Sequence, residues 1–392
     1  MQDIYIVSAV RTAIGAFGGT LKDLPPTQLG AAVVRAAIER AGIDPERVGQ
    51  VVMGNVIPTE PRDAYIARVS AIDAGVPQEA ASFNVNRQCG SGLQAVLLAA
   101  QSVVAGDAEI AIGGGAESMS RSPYFLGGAR WGTRMGDAAA VDYMLGILHD
   151  PFHRIHMGVT AENVADREGI TREMQDAFAL ESQRRAAQAI AEGRFASQIV
   201  PLEVKMHKKT VVFDTDENVR ADLSLAQLAD MRPVFKKDGT VTAGNSSGIN
   251  DGAGALVLAS GDAVRSYGLK PLARLVSYGH AGVDPLVMGL GPVPASTIAL
   301  ERAGLKAGDL DVIESNEAFA AQACAVTKAL GLDPAKVNPN GSGISLGHPV
   351  GATGAIIATK AIYELHRTGG RYALATMCIG GGQGIAAIFE RV

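Results

Sequence analysis

An internal repeat constrains this chain more than any other feature. Glu39-Arg40-Ala41-Gly42 closes one helical pattern and leads into an apolar run at 51–53, then Gly54-Asn55. Glu301-Arg302-Ala303-Gly304 closes another and leads into 312–314, then Ser315-Asn316. About 45 residues beyond each Ala-Gly pair comes a glycine-rich lead-in to an Ala-rich helix, the first holding Cys89 and the second following His348. A strand-like run then closes each unit, ending in Gly113-Gly114-Gly115 in one and Cys378-Ile379-Gly380-Gly381-Gly382 in the other. Chance similarity between Ala-rich helices does not account for four features in matched order. Two copies of one α/β unit packed face to face bring both helix starts together. Cys89, Asn316, His348 and Cys378 are therefore expected to converge at the junction of the halves.

Short β-branched runs at 4–10, 50–53, 110–113, 256–259, 311–314, 372–377 and 385–389 alternate with helical patterns. The helical patterns cover 28–41, 92–104, 171–192, 295–303, 318–329 and 351–367, an order expected of sheets covered by helices. Between about residues 118 and 248 the pattern changes. This stretch holds Trp131, most of the histidines and a basic cluster at 205–209, and reads as an insertion over the core, where binding loops sit. The expected division is an N-terminal half of residues 1–118 plus 249–270, a loop domain of 119–248, and a C-terminal half of 271–392.

With 47% apolar but only 5% aromatic residues, the core must be built from small aliphatic side chains, and 47 glycines permit close backbone approach. A net charge of −5 without any like-charge block argues against a nucleic-acid surface, while leaving room for a local phosphate-binding patch. Three cysteines cannot form a disulfide framework, and an odd count fits a reducing compartment. Gln94 and Gln101 interrupt the longest membrane-spanning candidate, and neither end carries a recognisable address. The expectation is a cytoplasmic α/β protein.

Residues 86–92, Asn-Arg-Gln-Cys-Gly-Ser-Gly, set Cys89 at the start of an apolar helix, where backbone N–H groups favour a thiolate. Small neighbours leave room for a substrate. A lone cysteine is more often inert core, and here the setting reverses that preference. His348 lies in a loop of small residues, 341–349, before a second helix; its imidazole can take a thiol proton and later donate to a developing oxyanion. The glycines at 380–382 are followed by only ten residues that read as a strand, so they do not form a dinucleotide fingerprint. They suit a tight turn with exposed N–H groups, an oxyanion hole, with Cys378 placed as a base. Asn316 could orient a water or cap the following helix; Cys324 reads as core. His149, His153 and His156 lack a fourth ligand for zinc, with Pro151 interrupting any helical face, and His156 reads instead as a channel wall.

Together these motifs resemble the thiolase family from end to end. The resemblance is carried by residues 86–92, 113–118 (GGGAES), 156–158, 239–254 (GTVTAGNSSGINDGAG), 316–320 (NEAFA), 340–354 (NGSGISLGHPVGATG) and 378–384. The subgroup it resembles is the bacterial biosynthetic β-ketothiolases and acetyl-CoA acetyltransferases. The resemblance implies a five-layered αβαβα core of two duplicated halves with an inserted loop domain. It implies a ping-pong Claisen condensation of acyl-CoA with acetyl-CoA to 3-oxoacyl-CoA and CoA, and its thiolytic reverse. Cys89 would carry the acyl group, His348 would accept its proton, and Cys378 would handle the α-carbon proton. Asn316 would hold an oxyanion-hole water, and the N–H groups of Cys89 and Gly380 would bind the tetrahedral oxyanion. Ser247 would bond the pantetheine and Arg220 would meet the adenine and phosphates. Leu148, His156, Met157, Phe235 and Ala243 would line the tunnel, joined by Gly244, Met288, Ala318 and Phe319.

By the same resemblance there is no permanently bound cofactor and no metal, CoA and acyl-CoA being substrates and products. The chain would form a homotetramer through residues 120–143, with no nucleic-acid or membrane partner. Gln88 departs from the hydrophobic residue frequent before the cysteine in biosynthetic members, and Gln occurs there in degradative ones. A degradative 3-ketoacyl-CoA thiolase is therefore the competing expectation. A non-catalytic acyl-CoA- or lipid-binding relative would need a lost catalytic residue, and all four candidates are present.

Overall fold

The computed structural model describes residues 3–206 and 208–392. The first half comprises β1 (Ile4–Thr12), α1 (Pro26–Ala41), β2 (Val48–Gly54), α2 (Ile66–Asp73), β3 (Ala81–Val85), α3 (Ser91–Ala105) and β4 (Ile110–Ser118). The inserted segment carries helices α4 (Met157–Glu168) and α5 (Arg172–Ala191), and β5 (Asn250–Ser260) then completes the first half. The second half repeats the order with β6 (Ala273–Gly282), α6 (Pro292–Ala303), β7 (Val312–Ser315), α7 (Ala320–Ala329), α8 (Thr353–Thr368), β8 (Tyr372–Ile379) and β9 (Gln383–Arg391).

The strands run β7-β8-β9-β6-β1-β5-β4-β2-β3, a near-mirror arrangement about the β6–β1 seam. That seam is short, only Tyr5 opposite Arg274 and Ile6 opposite Ala273. Even the place of β3 is kept in the second half, where Val337 bridges Ile313 in parallel. The repeated Ala-Gly pairs prove to be helix ends: Gly42 and Gly304 adopt φ of 65° and 67°, the left-handed cap conformation that glycine takes without strain.

Five layers result. α1 buries one stripe, Leu29, Val33, Val34, Ala37 and Ile38, against the outside of the first sheet, and α6 covers the second. α3 and α8 lie between the sheets and touch each other. Their sequences explain the position: α3 is buried at Leu93, Val96, Leu97, Ala99, Ala100 and Val103, and α8 buries even Lys360 and Glu364. Lys360 is there paired to Glu314 at 2.6 Å.

The two central helices meet start to start through glycines. A Cβ on Gly92 would sit 3.0 Å from backbone atoms of Gly351, Ala352 and Ala355, and one on Gly354 would strike the backbone of Leu93. The insertion is pinned to the first half by a fully buried bidentate pair, Arg11 to Asp216 at 2.7 and 3.0 Å. His207, within the expected basic cluster, lies outside the described residues.

Candidate active site

Four loops bring the expected residues to the meeting point of α3 and α8. Cys89 follows β3 and precedes α3; Gln88 before it has φ +49°, a left-handed conformation rare for a side-chain-bearing residue. Local bonds hold that turn: the Gln88 N–H donates to Asn86 Oδ1 (3.0 Å), and Ser91 Oγ donates to the Gln88 carbonyl (2.6 Å) while accepting from the Arg87 N–H (2.8 Å). Gly90 has no room for a side chain, because a Cβ would press on Ile379 of β8.

The Cys89 sulfur receives N–H groups from Gly380 and from its own backbone. These donors favour a thiolate, yet burial outweighs them and Glu117 adds repulsion, so the thiol is raised above its ordinary pKa. The sequence expectation of a thiolate stabilised at the helix start is thus corrected. At rest Cys89 is a neutral thiol that needs a base.

His348 is fully buried, and burial alone pulls it down to about 4, so it is neutral. Its tautomer follows from counting hydrogens. The Thr353 hydroxyl donates its one hydrogen to the Pro349 carbonyl at 2.9 Å, so at 2.7 Å it must accept from His348 Nδ1–H. Nε2 therefore carries the lone pair, and the Asn316 Nδ2–H donates to it at 3.4 Å. The loop is fixed from two sides: the His348 N–H donates to Asn250 Oδ1 (2.9 Å), and the Gly351 N–H donates to Glu117 (2.7 Å).

Asn316 does not cap α7, since the cap position is Phe319 and the helix begins at Ala320. Its side chain is wholly buried, and Oδ1 has no partner among the described residues. A buried amide acceptor left open in this way suits an ordered water. Cys378 lies within β8, opposite Gly384, and burial together with the nearby Cys89 pushes its thiol strongly up. Gly381 and Gly382, at φ +83° and +82°, form the turn into β9.

The expected channel residues fall on one side of this centre. Met157, Met288, Ala318 and Phe319 pack in one apolar cluster with Cys378, joined by Phe235. His156 stacks on Phe235 with ring centroids 4.5 Å apart, and Phe235 meets Phe319 edge-on at 6.2 Å. His156 is neutral, lowered to about 4 by burial, and its Nδ1 accepts from the Gly158 N–H. The Leu148 carbonyl accepts from the Met157 N–H, and the Ala318 carbonyl accepts from the Ser247 N–H at 3.0 Å. Ala243 is exposed, Gly244 is buried, and Arg220 is half-buried with its backbone N–H on Gln183.

His149 faces His156 edge-on at 5.2 Å, while His153 is exposed on the intervening turn. Cys324, expected in the core, is only partly buried and lines a separate cavity between α5 and α7. Sequence reading gave no role to Glu117, Asn250 or Thr353, although all three lie inside motifs already singled out. Glu117 is buried and raised to about 8 by desolvation, opposed by N–H groups of Ile57, Val56 and Gly351.

A thiol, a buried imidazole whose Nε2 is unprotonated, a second thiol and convergent N–H groups make a centre for acyl transfer. Comparison with known proteins agrees. The models "Thiolase, N-terminal domain" and "Thiolase, C-terminal domain" match residues 4–262 and 269–391. β-Ketothiolase BktB of Cupriavidus necator is 66% identical over 392 residues, covering 100% of both chains. Among solved structures, the Bacillus anthracis acetyl-CoA acetyltransferase has a TM-score of 0.98 at 46% identity, covering 100% of this chain and 99% of that one. Human mitochondrial 3-ketoacyl-CoA thiolase in complex with CoA gives 0.97 at 44%, covering 100% and 98%. The chain belongs to the thiolase family. It is an acyltransferase, and its five-layered duplicated core is the fold of that family.

Proposed function

We propose that this thiolase joins an acyl group to acetyl-CoA through an acyl-enzyme on Cys89, the carrying observation being that N–H groups of Cys89 and Gly380, one from each half, converge on the Cys89 sulfur. The Cys89 proton passes to His348 Nε2 as sulfur attacks the acyl-CoA thioester carbon. The two N–H groups hold the tetrahedral oxyanion, as preorganised donors worth several kcal/mol of transition-state stabilisation do. Collapse breaks the bond to CoA sulfur, and CoA leaves as the thiol after taking the Cys378 proton. The site then holds the acyl-enzyme, the Cys378 thiolate and the His348 imidazolium.

A second acetyl-CoA gives its α-proton to Cys378. A thiol held above its ordinary pKa is a strong base once ionised, which suits a weakly acidic C–H. His348 Nε2–H and a water on Asn316 stabilise the enolate oxygen. The carbanion attacks the acyl carbonyl, the Cys89–acyl bond breaks, and Cys89 recovers its proton from His348. The product is a 3-oxoacyl-CoA; thiolysis is the reverse.

For the CoA arm we assign Ser247 to the pantetheine and Arg220 to the adenine and phosphates. The channel is Leu148, His156, Met157, Phe235, Ala243, Gly244, Met288, Ala318 and Phe319. Short acyl chains are favoured because Met157 and Met288 are almost wholly buried beside Cys378. The enzyme works without a bound cofactor, in the cytoplasm, as a homotetramer, with the domain division given above. The degradative reading draws on the likeness to 3-ketoacyl-CoA thiolase. Rates with acetoacetyl-, 3-oxovaleryl- and 3-oxohexanoyl-CoA separate the two: a steep fall with length supports the short-chain assignment.

The mechanism is tested by intact mass after incubation with acetyl-CoA. Cys378→Ala is expected to gain one acetyl group on Cys89 yet not condense. Condensation by that variant, or no adduct on it, would overturn the roles given to the two cysteines.

A further inference from the structure

Arg87 is a half-buried guanidinium, and no carboxylate pairs with it among the described residues. It donates instead to three neutral acceptors on three elements: Gln94 Oε1 of α3 at 2.6 Å, His280 Nδ1 of β6 at 2.9 Å, and Gln383 Oε1 at the start of β9 at 3.2 Å. His280 can accept because burial and the cationic Arg87 and Arg302 lower it to about 4, which leaves the ring neutral. Gln383 directly follows the turn that carries Gly380, while Arg87 stands two residues before Cys89.

The two N–H groups on the Cys89 sulfur thus come from loops of different halves, and the Arg87 fork spans those loops. Placing a cation here without a counter-ion costs desolvation that a neutral side chain of similar size would avoid. A fork of fixed geometry is what three divergent acceptors require, and a lysine ammonium cannot match it.

We propose that Arg87 is a positioning residue that ties the nucleophile loop to the glycine turn, holding the Cys89 and Gly380 N–H groups as one oxyanion hole across the two halves. The proposal rests on the acyl-enzyme reading above. It acts on the oxyanion hole and, because the same N–H groups also favour the Cys89 thiolate, to a lesser degree on the sulfur, and these two effects can be measured apart. Attack of Cys89 on acetyl-CoA uses the oxyanion hole; alkylation by iodoacetamide forms no oxyanion and does not.

The test compares wild type, Arg87→Met and Arg87→Lys by rapid-quench acylation with acetyl-CoA, by iodoacetamide alkylation of Cys89, and by thermal unfolding. Arg87→Met is expected to acylate at least about tenfold more slowly, a partial form of the roughly 10²–10³-fold loss that follows outright removal of one oxyanion donor. Its alkylation rate falls clearly less than its acylation rate, since alkylation feels only the loss of thiolate stabilisation; its Tm does not fall, and Arg87→Lys recovers part of the acylation rate. Equal acylation rates in wild type and Arg87→Met overturn this proposal alone. So does a parallel loss of acylation and alkylation, or a fall in Tm that accounts for the loss. A wild type that forms no adduct on Cys89 overturns the acyl-enzyme reading, and this proposal with it.

Discussion

His348 carries most of the proton traffic, and its burial has opposite consequences for activity and stability. An ordinary imidazole titrates near 6.5, whereas burial lowers His348 to about 4. The rate of Cys89 acylation should therefore stay level on the acid side until well below pH 6, and fall only as Nε2 is protonated near pH 4 to 5. A pre-steady-state pH profile checks this; an acid limb centred on 6.5 would mean that His348 is not the base or is not buried. For stability, the unfolded chain protonates this histidine between about pH 6.5 and 4 while the folded chain resists. Its contribution is thus complete above 6.5 and drains as pH falls through that window. His156 and His280, also lowered to about 4, act in the same direction. Glu117, raised to about 8, and Glu314, raised to about 7, act oppositely, holding protons more tightly when folded and losing that advantage as pH rises. Because these contributions overlap, the difference between wild type and His348→Asn is the informative quantity. The variant should lose less stability than wild type between pH 6.5 and 4 in urea titrations.

At the scale of elements, the site exists because α3 and α8 begin against each other with no side chain between them. Gly354→Ala places a methyl on the Leu93 backbone, which cannot swing away as a side-chain tip can. Overpacking of this kind costs about 1–3 kcal/mol, and activity should fall by more than the loss of folded enzyme explains, because the Cys89 and His348 loops are pushed apart. Gly308→Ala, where nothing lies within 4 Å of the added methyl, is the control expected to change neither. Equal behaviour of the two variants in urea unfolding would remove the argument. The same packing explains what could be read in the sequence. The repeat, the cap glycines and the lead-ins to α3 and α8 were legible because glycine and small residues mark close approach. The full extents of β4 and β5 were not: Gly114, where a Cβ would strike the Gly254 carbonyl, and Gly115 lie in a fully buried strand but interrupt an apolar run. β3 and β6 were not delimited either, being mixed in polarity, as Ala81-Ser82-Phe83-Asn84 and Ser277-Tyr278-Gly279-His280 show. α4 escaped because its exposed face is polar and its start is capped by a histidine. Asn250 was invisible for a different reason, since its partner lies 98 residues away on a loop that only the fold brings near; Thr353, by contrast, bonds His348 and Pro349 only five and four residues before it.

At the scale of the whole molecule, a short hairpin pairing Tyr124–Leu126 with Ala140–Asp142 projects apolar side chains that its own chain does not cover. Trp131 is 87% exposed and Met135 is 93% exposed, and Tyr124, Phe125, Leu126 and Val141 are exposed with them. Exposed apolar side chains concentrated in one segment are what an assembly interface would cover. A second candidate surface is the end of the sheet, where β3 is paired on one side only among the described residues and Phe83 and Tyr65 are exposed near it. Open edges invite pairing with another chain, and a tetramer of dihedral symmetry needs two distinct interfaces. The hairpin and the edge strand are separate enough in sequence and fold to be broken one at a time. Replacing Trp131 and Met135 together by serine should leave the edge-strand contact whole, so light scattering is expected to give four copies for wild type and two for the variant. Both positions are solvent-exposed within one chain, so the variant's secondary structure and its acylation by acetyl-CoA should be retained. A variant that still holds four copies would show that the hairpin is not the assembly surface. A wild type of two copies would leave the hairpin to some other partner, and a variant of single copies would mean that the β3 edge does not associate by itself.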